Sequence, residues 1–428
     1  MNTEYESLWD AVDGRITQGI ETHRKSEAAL RVEDASGRPL SGVDISLEQT
    51  SSAFFFGANA FMLGGYATPE LNARYEANFL SLFNSATVPL YWRGLEPEPD
   101  NLRFAEGSRP IARRPPPDCV VAFAHQHGLS IVGHPLVWDF IKWSTPDWLP
   151  EDPAASAPLW EKRIAQIAER YGGQIPRWDV VNEVVTSAER VARGISRRMP
   201  DNYARLAFQW AQKYLPPTAT LMINETTGAW RGDRAKYIAL IDALLADGAR
   251  IGAIGLQFHL FSDAENQQAI RGEIFRPADL LTTLDAMLPF ARPVHISEIT
   301  LTSLADDAAG RAAQATVAAN FYRLWFSHPA VHAITWWNVP DGGAAPGEDK
   351  VSSGLLDRNL QPKPAYQTLH DLIKTQWRTA LRASTNAQGL VNFRGFHGHY
   401  RARVQQGTST VEFDLLPQGS NAATLRLS

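Results

Sequence analysis

Short apolar runs of strand length alternate with amphipathic, helix-like stretches through most of this 428-residue chain. Helical spacing is clear from Ile164 to Tyr171, and from Tyr237 to Leu245, where Gly248 follows as a helix-ending residue. The eight candidate strands are Phe54–Asn59, Ala86–Tyr91, Leu129–His134, Trp178–Glu183, Thr220–Glu225, Ile254–His259, Val294–Glu298 and Ala333–Trp337. Eight strand–helix units predict an α/β protein with a closed (β/α)8 TIM barrel. A doubly wound open sheet is the alternative, although no glycine-rich phosphate-binding turn follows the first strand.

Polar and aromatic residues gather where the candidate strands end. They are Asn59, Tyr91, His134, Asn182, Glu183, Asn224, Glu225, Gln257, His259, Glu298, Trp336 and Trp337. In a parallel barrel these carboxyl ends meet at one mouth, where barrel enzymes keep their active sites, whereas the interior is filled mainly by branched aliphatic side chains. The recurrence of polar ends on all eight strands therefore predicts an active site at this mouth.

The two flanks of the chain have a different pattern. Ala28–Gln49 and Gly389–Leu427 alternate apolar and polar residues between turns, which predicts antiparallel strands. Neither flank has enough strands for a stable sheet of its own, so we expect both to form one small accessory β-sandwich. The predicted organisation is a helix and sandwich strands in residues 1–50, the barrel in 51–378, and further sandwich strands in 379–428. The proline-rich stretch Arg109–Asp118 is expected to form a loop at the barrel rim.

Composition excludes several functional classes. The net charge of −5 gives no basic surface for nucleic acid or an anionic membrane, so a neutral carbohydrate partner is expected. Cys119 is the only cysteine, which excludes an intrachain disulfide and a thiolate metal cage, and we expect it to fill the core. We expect neither a metal nor a cofactor. The polar amino terminus predicts a cytoplasmic protein, or a secreted one if a signal peptide has been removed; the oligomeric state is left open.

Two glutamates end candidate strands on opposite sides of the predicted mouth. Glu183 closes Trp178–Glu183 beside Asn182, and Glu298 closes Val294–Glu298. A single strand-end glutamate is more often an ion-pair partner, but glycosidic cleavage needs two carboxyl groups. One protonates the departing oxygen while the other attacks the anomeric carbon, and a separation of about 5–5.5 Å leads to retention. The pair predicts a retaining glycosidase.

Several blocks of the sequence resemble glycoside hydrolase family 10, the xylanase family, over roughly residues 54–372. The blocks are GHPLVW (Gly133–Trp138), WDVVNE (Trp178–Glu183), GLQFHL (Gly255–Leu260), ISE (Ile296–Glu298), ITWW (Ile334–Trp337) and GLLDRNLQPKPAY (Gly354–Tyr366). The resemblance implies an endo-β-1,4-xylanase-like barrel, with Glu183 as general acid/base and Glu298 as nucleophile. It also implies that Asn182 contacts the sugar 2-hydroxyl, that His134 contacts the same sugar, and that Gln257 and His259 surround the nucleophile. Trp337 would lie beneath the sugar. The other candidate substrate-binding residues are Asn59, Tyr91, Trp92, Trp138 and Asn224.

The chain departs from the family pattern at several positions. Where the family usually has Asn-Glu-x-Lys-Trp, the segment Val88–Trp92 reads VPLYW, so three polar sugar-binding groups are missing. Thr300 stands where aspartate is usual, Asp139 where histidine is, and Phe258 where serine is. A second tryptophan after the last strand is absent from Pro340–Lys350, a loop that we expect to be flexible. The first departure predicts a substrate other than plain xylan.

Other interpretations remain open. The same mechanism could act on a decorated oligosaccharide or a plant glycoside, the barrel could bind glycans without catalysis, or the β-sandwich could bind polysaccharide through an exposed aromatic row. A metal site could use His134, His259 and His295, but strand alternation predicts that His295 and Glu298 point to opposite faces. His125 and His127 precede the third strand and are expected to lie away from the mouth.

Overall fold

The computed structural model describes residues 3–303, 305–346, 348, 352–405, 408–419 and 421–427. Its strands are β1 (Lys25–Glu33), β2 (Asp44–Ser52), β3 (Phe55–Asn59), β4 (Ser85–Pro89), β5 (Ser130–His134), β6 (Arg177–Asn182), β7 (Thr220–Glu225), β8 (Ala253–Leu260), β9 (Val294–Leu301), β10 (Val331–Trp336), β11 (Ala380–Ser384), β12 (Leu390–Phe396), β13 (Gly398–Val404), β14 (Thr410–Leu415) and β15 (Ala422–Arg426). Its α-helices are α1 (Thr3–Arg24), α2 (Pro69–Leu82), α3 (Trp92–Leu95), α4 (Pro117–Gln126), α5 (Pro153–Tyr171), α6 (Val184–Ala192), α7 (Tyr203–Tyr214), α8 (Arg234–Ala246), α9 (Asp263–Ile270), α10 (Pro277–Asp285), α11 (Ala308–Ser327) and α12 (Pro364–Asp371).

Strands β3 to β10 form a closed parallel barrel in which β10 pairs with β3. All eight predicted strands are present, and Thr220–Glu225 matches at both ends. The (β/α)8 prediction is therefore confirmed, and the open-sheet alternative is wrong because the sheet has no edge. The helical patterns are also confirmed: the spacing from Ile164 to Tyr171 forms the buried face of α5. Gly248 follows α8 with a φ of 83°, which glycine adopts without strain.

The chain ends build two additional sheets. One has the order β12-β1-β15 and the other the order β11-β2-β13-β14. Their facing sides bury a shared apolar core that includes Leu30, Ile45 and Tyr400. The predicted sandwich from both chain ends is confirmed, but one detail of its pairing is wrong. Strand β15 runs parallel to β1, because it returns to the free edge of β1 after β13 and β14 have paired within the other sheet.

Helix α1 packs on the barrel instead of joining the sheets. Trp9 meets Phe321 of α11 with ring centroids 5.5 Å apart, and Asp13 pairs with Arg323 at 2.6 Å. At the end of α1 the buried Arg24 donates to the carbonyl oxygens of Phe326, His328 and Val331. This guanidinium joins the helix to the last barrel strand just before the chain enters β1.

The aromatic residues of the carboxyl-terminal flank are core residues. Phe393 and Tyr400 are buried in the sandwich, Phe413 stacks on Tyr400 at 5.6 Å, and Phe396 packs against Phe326 of the barrel. They do not form the exposed row that a glycan-binding sandwich would need. Among the described residues, none of the helices is long and apolar enough to cross a membrane. Cys119 is only partly buried, on α4, so the expectation that it fills the core is not met.

A close contact inside the barrel wall depends on the absence of a side chain at Gly133. A Cβ atom there would lie 2.7 Å from Cε3 and 2.8 Å from Cζ3 of the fully buried Trp178. We predict that Gly133→Ala lowers the free energy of unfolding by about 1–3 kcal/mol, since neither the strand nor the indole can move away freely.

The measurement is denaturant unfolding followed by tryptophan fluorescence. Gly14→Ala is the matched control, because Gly14 is exposed within α1 and its Cβ would meet nothing within 4 Å. That variant should gain about 0.5–1 kcal/mol from helix propensity. Equal stability of Gly133→Ala and the unchanged protein would contradict the packing argument.

Candidate active site

The carboxyl ends of the barrel strands surround a cavity of about 440 Å³. Its lining includes eight of the predicted site residues: Tyr91, Trp138, Asn182, Glu183, Gln257, His259, Glu298 and Trp337. It also includes residues that the sequence did not suggest: Arg113, Arg114, Phe140, Trp143, Thr186, Arg190, Thr226, Thr227, Gly228, Phe261, Glu265, Ala345, Pro346 and Glu348. The predicted mouth therefore contains a substantial cavity with both candidate catalytic glutamates on its wall.

A register shift in β6 brings three polar residues toward the barrel interior. The pairing with β7 shifts between Asp179 and Val181, so that Asn182 is directly opposite Asn224. Without this extra residue, Asp179 and Asn182 would point to opposite faces. Glu183 then takes a left-handed conformation with a φ of 58° and a ψ of 48° at the start of α6. This uncommon backbone geometry turns the chain sharply, so that Glu183 follows Asn182 into the cavity.

A second register shift, in β9, corrects one sequence-based prediction. Gly255 pairs with His295 and Gln257 with Glu298, so β9 contains one extra residue between the two pairs. His295 and Glu298 consequently both face the interior, and the prediction that they point to opposite faces is wrong. His295 lies deeper in the barrel, among residues lining a small void, while Glu298 reaches the main cavity. A bulge redirects side chains that strict alternation would send outward.

The Asn224 side chain links the floor of the site. Its Nδ2 lies 3.1 Å from Asp179 Oδ2, 2.8 Å from Asn182 Oδ1 and 3.1 Å from Glu298 Oε1. Its Oδ1 accepts a hydrogen bond from Ser297 at 2.6 Å. Asn224 was predicted to bind substrate, but it is fully buried below the cavity lining. It therefore supports the residues of the site and does not contact a ligand itself.

His134 also lies beneath the cavity lining. Its Nδ1 is 2.6 Å from Asp179 Oδ2, and its Nε2 is 3.0 Å from the Tyr91 hydroxyl and 3.9 Å from Glu298 Oε1. Burial alone would lower the pKa of His134, but the hydrogen bond and charge of Asp179, with Glu298 nearby, raise it above its usual value. Burial raises the pKa of Glu298, and His134 opposes that shift. A charged His134 is thus the local group that favours an ionised Glu298.

His134, Asp179 and Glu298 also have one potential metal-ligand atom each, all within 4.8 Å of one another. The hydrogen bonds of His134 to Asp179 and Tyr91 already use both of its ring nitrogens. The arrangement is explained by these hydrogen bonds within the protein. His127, at the end of α4, lies at a separate crevice below the barrel, as expected.

Glu183 is held from three sides. Trp138 Nε1 donates to its Oε2 at 3.2 Å, Arg190 Nη2 donates to the same oxygen, and Gln257 Nε2 lies 3.5 Å from Oε1. Gln257 also donates to Asn182 Oδ1 at 3.1 Å. Its side chain therefore contacts the candidate acid/base, while its backbone lies directly opposite Glu298, the candidate nucleophile, on the neighbouring strand β9. Both hydrogen bonds to Asn182 end on its Oδ1, which leaves its amide nitrogen available to a ligand.

His259 contacts the other side of Glu298. Its Nε2 lies 3.3 Å from Glu298 Oε2, and its Nδ1 lies 2.9 Å from Thr300 Oγ1. Burial lowers the pKa of His259 to about 4, so the ring is neutral near pH 7. The Thr300 hydroxyl can donate to Nδ1, which leaves the Nε2 proton for the Glu298 carboxylate.

Aromatic rings form one wall of the cavity. Tyr91, Trp337 and the buried Phe61 make a cluster, and Trp138 packs against Tyr91 at 5.7 Å. Trp337 lies 5.1 Å from the ring of His134. The indole faces in this cluster offer apolar surface suited to the C–H face of a sugar.

Two predicted binding residues lie elsewhere. Trp92 begins α3 and packs at 4.5 Å against Trp160 in the helical layer, where its Nε1 donates to Glu96. The prediction that Trp92 binds substrate is wrong, because the chain turns into a helix directly after Tyr91. Asn59 is buried beside β4 and does not line the cavity.

The Arg109–Asp118 stretch borders the cavity, as predicted, although its last two residues begin α4. Arg114 lies over the Tyr91 ring, with its guanidinium carbon 3.9 Å from the centroid. The sequence placed this loop at the rim, but nothing in the local pattern indicated that Arg113 and Arg114 line the cavity. Three residues of the loop at 340–350, which was expected to be flexible, lie outside the described residues: Gly347, Asp349 and Lys350.

The family model of glycosyl hydrolase family 10 matches residues 65–372, more than half of the chain. The chain belongs to glycosyl hydrolase family 10. The resemblance inferred from the six sequence blocks is confirmed.

Relatives within and around the family have low identity to this chain. Anti-sigma-I factor RsgI6 of Acetivibrio thermocellus is 24% identical over 391 residues, covering 91% of this chain and 46% of that protein. Endo-1,4-beta-xylanase 2 of Arabidopsis thaliana is 24% identical over 392 residues, covering 89% of this chain and 32% of that protein. The chain thus spans less than half the length of these two relatives. Xylanase 10B from Thermotoga petrophila, solved with xylobiose, shares the fold with a TM-score of 0.61 at 21% identity, covering 76% of this chain and 95% of that one.

The threonine beside His259 is a family departure with a measurable consequence. We predict that Thr300→Asp raises the pKa of His259 above about 4, because a carboxylate at Nδ1 accepts a hydrogen bond from the ring N–H and favours the charged form of the ring. The pKa is measured by NMR titration of the imidazole nitrogens.

Thr300→Val is the matched control. It keeps the branched shape and removes the hydroxyl, so the pKa of His259 should stay low because burial still dominates. An unchanged His259 pKa in Thr300→Asp would contradict the contact seen here.

Proposed function

We propose that this family 10 protein is a retaining glycoside hydrolase that cleaves β-linked glycosides of xylose or glucose configuration, with an endo-1,4-xylanase-like site. The observation that carries the proposal is the presence of two buried carboxylates, Glu183 and Glu298, on the wall of one cavity. They come from β6 and β9, which are separated in the barrel by β7 and β8. The family membership and the names of the xylanase relatives support the same substrate class.

In the proposed first step, Glu298 attacks the anomeric carbon while Glu183 gives a proton to the glycosidic oxygen. The bond from carbon to that oxygen breaks, and a glycosyl–Glu298 ester forms. In the second step Glu183 takes a proton from water, the water oxygen attacks the same carbon, and Glu298 leaves as a carboxylate. Two inversions give net retention.

The surrounding residues fit these roles. The amide nitrogen of Asn182 can donate to the sugar 2-hydroxyl, an interaction that strengthens as the ring flattens in the transition state. The Nε2 proton of neutral His259 holds the Glu298 carboxylate in place. Trp337, which packs with Phe61 and Tyr91, offers a hydrophobic face to the reacting sugar.

Glu298→Ala should abolish turnover of every glycoside, because no glycosyl–enzyme can form without the nucleophile. Added azide should occupy the vacated space and release an α-glycosyl azide after a single inversion. With the unchanged enzyme, proton NMR of fresh product should show the β-anomer first. Turnover of an aryl glycoside by Glu298→Ala, or initial release of the α-anomer by the unchanged enzyme, would contradict the assignment.

Glu183→Ala is the matched comparison for that experiment. It should retain activity on dinitrophenyl glycosides, whose leaving group needs no proton, and lose it on substrates with poor leaving groups. Azide should here attack the glycosyl–enzyme and give the β-glycosyl azide. Equal loss on both substrate types would show that Glu183 is not the acid/base.

The altered segment before α3 predicts weak action on plain xylan. Val88 and Leu90 are fully buried and Trp92 faces the helical layer, so only Tyr91 of this segment reaches the cavity. Loss of two charge-assisted contacts costs about 3–5 kcal/mol of transition-state binding, or roughly a hundredfold to a few thousandfold in kcat/KM.

A short or substituted glycoside should therefore have a higher kcat/KM than linear xylohexaose. The measurement compares xylohexaose with a panel of aryl and side-chain-substituted xylosides under identical conditions. A xylohexaose value equal to that of an ordinary family xylanase would show that other residues bind the glycone, and the narrowed-substrate proposal would fail.

A further inference from the structure

Arg190 is a cation held against the candidate acid/base. It lies on α6, seven residues after Glu183, and its Nη2 donates to Glu183 Oε2. Its guanidinium carbon lies 3.9 Å from the centroid of the Phe140 ring, and its side chain is 18% exposed. The residue lines the cavity on the side where Trp138 and Trp143 also lie. Arg190 is therefore placed to touch a ligand of this site.

One arm of the Arg190 guanidinium lacks an acceptor. Among the described residues, Nη1 is buried and makes no hydrogen bond. Buried donors in proteins are nearly always paired, so an unpaired one on a residue that lines the cavity indicates a group that arrives with the ligand. A guanidinium has a planar fork that matches a carboxylate through two parallel hydrogen bonds. Glu183 engages one arm, which leaves the other for a second anion.

The hydrogen bonds at Glu183 also favour a second acceptor for Arg190. Its Oε2 already accepts from both Trp138 and Arg190. In the proposed reaction Glu183 must carry a proton and deliver it to the leaving oxygen, and a proton on Oε2 would face two donors. A ligand carboxylate that accepts from Nη1 would share the cation with Glu183 and weaken the hold of Arg190 on Oε2. The acid lies beside the leaving oxygen, so such a carboxylate belongs to the leaving-group side of the substrate.

We propose that Arg190 is a specificity-determining residue that binds a carboxylate on the leaving-group side, so that the preferred substrate is an acidic β-glycoside. This inference rests on the proposed function and narrows its substrate class. The carboxylate can come from an aromatic acid or from a uronic acid on a neighbouring sugar. Both present the same planar group to the guanidinium.

The test compares 4-carboxyphenyl and 4-carbamoylphenyl β-xylosides, whose leaving groups match in size and differ in charge. The unchanged enzyme should favour the carboxylate by about tenfold or more in kcat/KM, as expected for a charge-assisted hydrogen bond. Arg190→Gln should abolish that preference, and Arg190→Lys should retain part of it. A displaced Glu183 could affect the two leaving groups differently, since they differ in acidity, so the comparison is repeated as a binding measurement in which no bond breaks.

Arg193→Gln is the matched control. Arg193 follows one turn later, is 76% exposed and pairs with Glu189 at 3.8 Å, so its loss should leave the preference unchanged. A second arm compares a xylo-oligosaccharide bearing a uronic acid with the same compound reduced to the alcohol. Preference in the aryl arm alone assigns the carboxylate to an aromatic acid, and preference in the sugar arm assigns it to a uronic acid.

A binding measurement distinguishes a failure of this inference from a failure of the proposed function. In the Glu298→Ala background, calorimetry should give about tenfold tighter binding of the acidic ligands, and adding Arg190→Gln should remove that difference. Equal binding and equal turnover of charged and neutral ligands overturn the role of Arg190 and leave the glycosidase proposal intact. Absence of turnover of all glycosides, with the charge preference in binding still dependent on Arg190, overturns the glycosidase proposal and leaves the role of Arg190 intact.

Discussion

The candidate active site depends on the Asn224 amide, which joins strands that do not neighbour one another. Through Nδ2 it approaches Asp179, Asn182 and Glu298, and through Oδ1 it accepts from Ser297. An amide is suited to this position because it donates and accepts without adding charge to a buried cluster of carboxylates. Space for it depends on Gly255, where a Cβ would lie 2.5 Å from Asn224 Oδ1. Removing either feature would leave buried polar atoms unpaired.

The two candidate catalytic glutamates have different electrostatic surroundings. On the Glu298 side, burial raises the pKa of the carboxyl group, and the charge of His134 opposes that shift; Asp179 supports that charge indirectly, by raising the pKa of His134. On the Glu183 side, the Arg190 guanidinium donates a hydrogen bond to Glu183 Oε2. A double-displacement reaction needs one carboxyl group that is ionised and one that can exchange a proton. The two glutamates are thus distinguished by their neighbours and not by their own chemistry.

The departures from the family pattern differ in importance according to the direction of each side chain. Phe258 packs against Trp325 and Phe321 outside the barrel wall, and Asp139 accepts the backbone N–H of Arg198, so neither reaches the cavity. Thr300 faces inward, where it replaces a charged partner of His259 with a neutral one. The altered Val88–Trp92 segment places one ring, Tyr91, on the cavity wall. Only substitutions on inward positions change what the site can bind.

Local sequence was sufficient for the eight-strand barrel, the sandwich from both chain ends and the two glutamates, because strand length, alternation and strand-end polarity are short-range properties. It was not sufficient wherever an inserted residue changes the register. The shifts in β6 and β9 depend on how neighbouring strands pair. The shift in β6 places Asp179 and Asn182 on the same face, and the shift in β9 does so for His295 and Glu298. It was likewise insufficient for Arg114 and Arg190, because their contacts join residues from a rim loop and a helix to a mouth that exists only after the barrel closes. The sequence by itself determined which side chains are present at the strand ends. Only the tertiary structure decided which of them meet, since a contact between distant segments is a property of the closed barrel and not of any one of its strands.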